Sequence, residues 1–197
     1  MSETIIELEP GDALIIVDVQ NDFLPGGSLG VPHGDEVIEP LNRCARLFAQ
    51  HRLPVFATRD WHPPDHCSFA PQGGPWPPHC IQGTPGAEFA RRLELPAGTH
   101  IISKAQRAEA DAYSGFEGTS LAAQLREAGC RRVFVGGLAT DYCVRATALD
   151  ARAAGLRVTV LLDAVRAVEV KPGDGERALA QMQRAGVARG SVEQLRS

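Results

Sequence analysis

Lysine is almost missing from this chain. Of its 20 cationic residues only Lys104 and Lys171 are lysine, the rest being arginine. No basic excess accompanies them: Asp and Glu together number 24 and the formal charge is −4, so there is no field to hold a nucleic-acid backbone. Long hydrophobic runs are absent too. Ala13 to Val17 and Val158 to Leu162 fall far short of the ~20 residues of a membrane span. The residues after Met1 are acidic, where a secretory leader is basic. The expectation is a cytoplasmic protein with neither a membrane nor a nucleic-acid partner. Cys-x-x-Cys is lacking as well. Cys44, Cys67, Cys80, Cys130 and Cys143 form an odd, widely spaced set, which excludes a disulfide framework and a four-thiolate zinc knot and leaves mostly reduced thiols. What is there is 44% hydrophobic residues in 197 positions, enough for one sizeable core, and the chain reads as a single domain over 1–197.

Short aliphatic runs alternate with helix-like spacings. Ala13 to Val19 is a near-continuous apolar run, as in a strand covered on both faces. Pro54 to Thr58, Thr99 to Ser103, Arg132 to Gly136 and Leu156 to Leu162 are further strands, with a short sixth near Val187. Apolar residues at helical intervals place helices over Asp35 to Gln50, Ser120 to Ala128, Asp141 to Ala154 and Asp174 to Ala185. This order predicts a three-layer α/β/α sandwich around a central, mostly parallel, Rossmann-like sheet.

One stretch breaks the pattern. Between about 60 and 85 the chain carries seven prolines and three glycines, too many for regular structure, and long loops in small domains tend to be functional. The same stretch holds Asp60, His62, His66, Cys67, His79 and Cys80. Asp60 and His62, two apart in extended chain, point the same way. With His79 they make the two-histidine, one-carboxylate set of metal sites that keep positions open. His66, Cys67 and Cys80 offer a rival, closed structural zinc site. His33, His51 and His100 read as surface or satisfied side chains.

Ligands of open parallel sheets bind beyond the carboxyl ends of the strands. Asp18, Asp60, Lys104 and Cys143 all fall at such ends. Asp18, inside an aliphatic run, is expected to have a raised pKa suited to a general base; the alternative is a carboxylate bonded to nearby backbone N–H groups. Cys143 lies in the first turn of the helix expected from Asp141, where the dipole favours a thiolate; the alternative is a buried structural thiol. Lys104 is a compact charge that can hold Asp18 ionised or stabilise a thiolate, or else a surface lysine. Asp163 reads equally as a helix cap or a site residue.

The segments Val17-Asp18-Val19-Gln20-Asn21-Asp22-Phe23, Asp60-Trp61-His62-Pro63, Trp76-Pro77-Pro78-His79-Cys80, Lys104, Tyr113-Ser114-Gly115-Phe116 and Gly137-Leu138-Ala139-Thr140-Asp141-Tyr142-Cys143-Val144 together resemble the nicotinamidases of the isochorismatase-like cysteine hydrolase superfamily. The resemblance runs in order from about Ala13 to Ala167. It implies hydrolysis of nicotinamide, and of pyrazinamide, through a cysteine thioester in NAD salvage. It implies a catalytic triad of Asp18, Lys104 and Cys143, with a cis Leu138–Ala139 peptide and an oxyanion hole from the N–H groups of Ala139 and Cys143. Phe23 and Trp76 would hold the pyridine ring. One divalent ion per chain (zinc, iron or manganese) would sit on Asp60, His62 and His79, with His66 an additional candidate. The oligomeric state stays open, a homo-oligomer included. The rival readings are another small-amide amidohydrolase, an isochorismatase-type hydrolase, or a non-catalytic zinc-binding module.

Overall fold

The computed structural model describes residues 5–196. A two-residue strand, β1 (Ile6–Glu7), precedes β2 (Asp12–Val17), all six of whose residues are buried. Then come α1 (Ile38–Gln50), β3 (Val55–Asp60) and β4 (His100–Lys104). The second half supplies α2 (Leu121–Glu127), β5 (Arg132–Leu138), α3 (Arg145–Ala153), β6 (Arg157–Arg166), α4 (Asp174–Arg184), β7 (Ala188–Gly190) and β8 (Leu195–Arg196). Six strands form one sheet in the order β4-β3-β2-β5-β6-β7, every neighbouring pair parallel, and β1 pairs with β8 apart from it.

Period-two side-chain alternation splits the interior into two cores. Leu14 and Ile16 of β2 join Ile38, Leu41, Ala45 and Phe48 of α1 on one face, the last of these meeting Phe134 of β5 edge-on at 5.6 Å. Ala13, Ile15 and Val17 face the other way, onto Leu121 and Leu125 of α2, Ala148 and Ala151 of α3 and Met182 of α4. Each fully buried Leu, Ile or Phe contributes about 1.5–3 kcal/mol, so a strand as apolar as β2 belongs at the centre.

The strand order explains where a site can form. From β2 the chain moves outward through β3 and β4, then returns to the other side of β2 for β5, β6 and β7. The reversal opens a crevice beyond the carboxyl ends of β2 and β5. Several strand ends differ from expectation: β3 and β5 each run two residues further, to Asp60 and Leu138, and β4 one further, to Lys104. β2 stops at Val17, not Val19, because Asp18 takes a left-handed φ of 49°. β6 runs on to Arg166 through a register shift that sets Gly137 opposite Val165 after Val135 opposite Val160. Asp163, inside that extension, accepts the Val192 N–H at 2.9 Å. No helix among the described residues is long and apolar enough to cross a membrane.

Gly137 pins the crevice floor. Its φ is +121°, and a Cβ there would overlap the Val17 carbonyl oxygen. Gly137→Ala is therefore expected to destabilise the fold by more than ~3 kcal/mol, seen as a lost or sharply lowered thermal transition; an unchanged transition would contradict the close β2–β5 approach.

Candidate active site

Parallel register sets the first contact. Asp60 and Lys104, the last residues of β3 and β4, are direct cross-strand partners, and Lys104 Nζ lies 2.5 Å from Asp60 Oδ1. The same ammonium is 3.0 Å from Asp18 Oδ2, 3.4 Å from Cys143 Sγ and 3.2 Å from the Ala112 carbonyl oxygen. Asp18, Lys104 and Cys143 are therefore brought together, and all three are buried. Thr58, unremarked in the sequence, donates its hydroxyl to Asp18 Oδ1 at 2.6 Å. Asp18 Oδ2 is paired with the ammonium by proximity but has no well-directed hydrogen bond.

One ammonium thus faces two carboxylates and a thiol. Burial pushes the Asp18 carboxyl up, and the Asp60 charge adds to this against the pull of Lys104 and Thr58. Burial opposes ionisation of Asp60 as well, but the Lys104 ammonium outweighs it and holds its carboxyl below the usual range. Burial disfavours charge on Lys104, yet Asp18, Asp60 and Cys143 overcome it and raise its pKa well above normal. Asp60 and Lys104 form the fixed ion pair, and Asp18 is the carboxylate most ready to take a proton. The three groups titrate as one system.

For Cys143 the surroundings run against the expected thiolate. Burial, reinforced by Asp18 and Asp60, lifts the thiol well above its ordinary pKa despite Lys104. The local backbone differs from expectation too: Thr140–Val144 is a wide π-helical turn, and α3 begins only at Arg145. Forming the thiolate requires handing the proton to a neighbour, and Asp18 is the raised carboxylate beside it. The Leu138–Ala139 peptide is cis.

Beside this cluster lies a second one. One donor atom each from Asp60, His62 and His79 fall within 4.8 Å of one another. The His79 Nδ1 meets the Pro77 carbonyl oxygen at 2.8 Å, which fixes Nδ1 as the protonated nitrogen and leaves Nε2 as a lone-pair donor. Both ring nitrogens of buried His62 lack a hydrogen-bond partner, an expensive omission unless something binds there. Burial also drives the His62 pKa down to about 3, which keeps it in the neutral form that ligates cations. His66 is placed differently. Its nitrogens meet Ser68 Oγ at 2.7 Å and the Ala110 carbonyl at 3.2 Å, its ring packs on His62 at 4.1 Å, and it is not part of the converging set. Among the described residues, His66, Cys67, His79 and Cys80 form no such set either, so the closed zinc site is not assembled.

An apolar pocket opens above both clusters. Asp60, His62, His79 and Cys143 reach into it, and Phe23, Leu29, Val31, Trp76, Tyr113 and Tyr142 are among its walls. Trp76 Nε1 donates to the Tyr113 hydroxyl at 2.9 Å and the Trp76 ring meets Tyr142 edge-on at 5.1 Å. Phe23 lies 5.5 Å from the His79 ring. Ala139 also lines the pocket.

A match to the Isochorismatase domain model covers residues 12–194. The chain belongs to the isochorismatase family. An Escherichia coli nicotinamidase is 37% identical over 90% of this chain and 93% of its own length. A Mycobacterium tuberculosis nicotinamidase/pyrazinamidase is 46% identical over 77% and 84%. Among solved structures, a Pyrococcus horikoshii pyrazinamidase in complex with zinc superposes with a TM-score of 0.89 at 52% identity, covering 92% of this chain and 99% of that one. An L. infantum protein in complex with nicotinate gives 0.91 at 39%, covering 98% of each.

In this isochorismatase-family chain the supports behind the site were hidden from sequence reasoning. Gln20 donates to the Asp60 and Ala87 carbonyls at 2.7 and 2.9 Å and accepts the Asp60 N–H at 2.8 Å. Asp22 accepts the Cys80 N–H at 2.7 Å, bracing the turn after His79. Their presence in the first motif, Val17 to Phe23, was the available signal; the partners, 40 and 58 residues away, were not.

Removing the Thr58 hydroxyl deletes a hydrogen bond that favours ionised Asp18. Thr58→Val is therefore expected to move the acid limb of the kcat/KM profile upward by about one pH unit, read from initial rates across pH; a limb that stays or moves down would contradict the assignment of Asp18 as the proton acceptor.

Proposed function

We propose that this chain hydrolyses nicotinamide to nicotinate and ammonia, and pyrazinamide likewise, as a step of NAD salvage. The observation that carries the reading is the Lys104 ammonium held between Asp18 and Asp60, against the Cys143 thiol and at the base of an aromatic pocket. The nicotinamidase relatives and the nicotinate-bound neighbour support the same substrate class.

An aromatic amide has a poor leaving group, so sulfur attack has to be coupled to protonation of nitrogen. In our mechanism Asp18 takes the proton from Cys143 Sγ as the sulfur bonds to the amide carbon. The N–H groups of Ala139 and Cys143 receive the developing oxyanion. Asp18 then delivers its proton to the departing nitrogen, releasing ammonia and leaving a nicotinoyl thioester. It next accepts a proton from the water that attacks the thioester, and returns it to the sulfur as nicotinate leaves. Lys104 stays charged throughout and keeps Asp60 from competing for the proton. Phe23 and Trp76 hold the ring flat, an orientation worth several kcal/mol.

Asp60, His62 and His79 would hold one divalent ion, zinc, iron or manganese, which when bound would act as a Lewis acid that anchors the pyridine nitrogen. The unpaired nitrogens of His62 are the feature of this chain that fits it. A vinyl ether would need neither this donor set nor a cysteine, which disfavours isochorismatase chemistry here.

Cys143→Ala is expected to abolish ammonia release, by at least ~10⁴-fold, while leaving the thermal transition and nicotinamide binding in place. Treatment of the wild type with a chelator is expected to remove about one metal per chain together with activity, the protein remaining folded. Near-normal turnover in the variant, or full activity in a metal-free preparation, would overturn the mechanism.

A further inference from the structure

Val168 belongs to no motif of the sequence, yet it lines the same pocket as Cys143 and the cation ligands. It lies on an irregular strap, residues 167–173, between β6 and α4. Two carboxylates hold that strap. Asp141 is 3% exposed, two residues before Cys143 in the same π-helical turn. Its Oδ1 accepts the Val168 N–H at 2.9 Å and its Oδ2 the Glu169 N–H at 3.0 Å. Glu169, fixed in the left-handed region at φ 58°, turns its own carboxylate to the start of α4, where it accepts the Gly173 N–H at 2.6 Å and the Gly175 N–H at 2.9 Å. A charged acceptor shared by two successive N–H groups sets both distance and angle. The turn that carries the sulfur and the strap that carries Val168 are thus tied together by hydrogen bonds.

We propose that Asp141 and Glu169 are positioning residues that clamp the strap, so that Val168 limits the size of ring that can reach Cys143. The inference deepens the reading of the pocket as a site for a small pyridine carboxamide and rests on it for the identity of the substrate. The clamp itself concerns the width of the pocket. Asp141→Asn replaces one acceptor with an NH₂ that cannot receive an amide proton, which frees one strap N–H. Glu169→Ala releases the strap from α4. Val168→Ala widens the wall directly and serves as the reference.

The test has two readouts. Alkylation of Cys143 by iodoacetamide and by its N-benzyl analogue, followed by peptide mass spectrometry, reports access whether or not the enzyme turns over nicotinamide. Ammonia release from methyl-substituted nicotinamides, relative to nicotinamide, reports the same limit in catalysis. All three variants are expected to raise the ratio of large to small reagent by at least about tenfold, the lower end of what one methylene's room in an apolar pocket is worth. KM for nicotinamide is expected to rise more than kcat falls. A merely structural role would lower the melting temperature and slow both reagents alike. A ratio unchanged in Asp141→Asn and Glu169→Ala while Val168→Ala shifts it would overturn the clamp, and Glu169→Ala decides the matter if Asp141→Asn does not fold.

Discussion

A lysine ammonium with no access to water needs a counter-charge, and this chain gives Lys104 two. Its Nζ lies 2.5 Å from Asp60 and 3.0 Å from Asp18. The desolvation of three ions in one place costs several kcal/mol each and is offset only by their mutual attraction and by directed hydrogen bonds. With one positive and two negative groups the cluster carries an excess carboxylate. That excess falls on Asp18, because Asp60 makes the closer contact with the ammonium. The same imbalance suits the proposed reaction: a carboxyl whose pKa is raised, beside a thiol whose ionisation burial opposes, can act as a proton shuttle.

The arrangement is a consequence of strand order. Reversal of the winding between β2 and β5 puts Asp18 and Cys143 on opposite lips of one crevice. In-register pairing of β3 with β4 places Asp60 against Lys104 on the flank where the proline-rich loop begins. That loop can then bring His62 and His79 back over Asp60, held by Gln20 and Asp22. The Asp18–Lys104–Cys143 cluster and the convergent Asp60–His62–His79 set both involve Asp60, so a change to either is felt by the other.

Much of this was legible from the residues. The alternation of aliphatic runs with helical spacings indicated the three-layer sheet, because burial on both faces of a strand and one face of a helix leaves distinct periods. Polar residues at strand ends pointed to Asp18, Asp60, Lys104 and Cys143. What was not legible depends on long-range register and solvation. Nothing local says that Asp18 turns left-handed and ends β2 at Val17, that Lys104 bridges two carboxylates, or that Thr58 reaches Asp18. The expected thiolate at Cys143 followed from a helix dipole. Full burial beside two carboxylates pushes the thiol the other way, and the helix there opens as a π turn. His66 was a plausible ligand by composition, but its nitrogens are engaged by Ser68 and Ala110. Asp163 resolves as a backbone acceptor for Val192, far from the chemistry in role.

The claim on which all of this turns is that two carboxylates share a single ammonium, and a double-mutant cycle tests it most directly. Unfolding free energies from denaturant titration would be compared for Lys104→Met, Asp18→Asn and the pair. Loss of the ammonium alone should cost about 3–5 kcal/mol, and adding Asp18→Asn to that variant should recover a substantial part, because it removes the carboxylate left uncompensated. Strictly additive losses, with the double variant the least stable of all, would contradict the shared ion cluster.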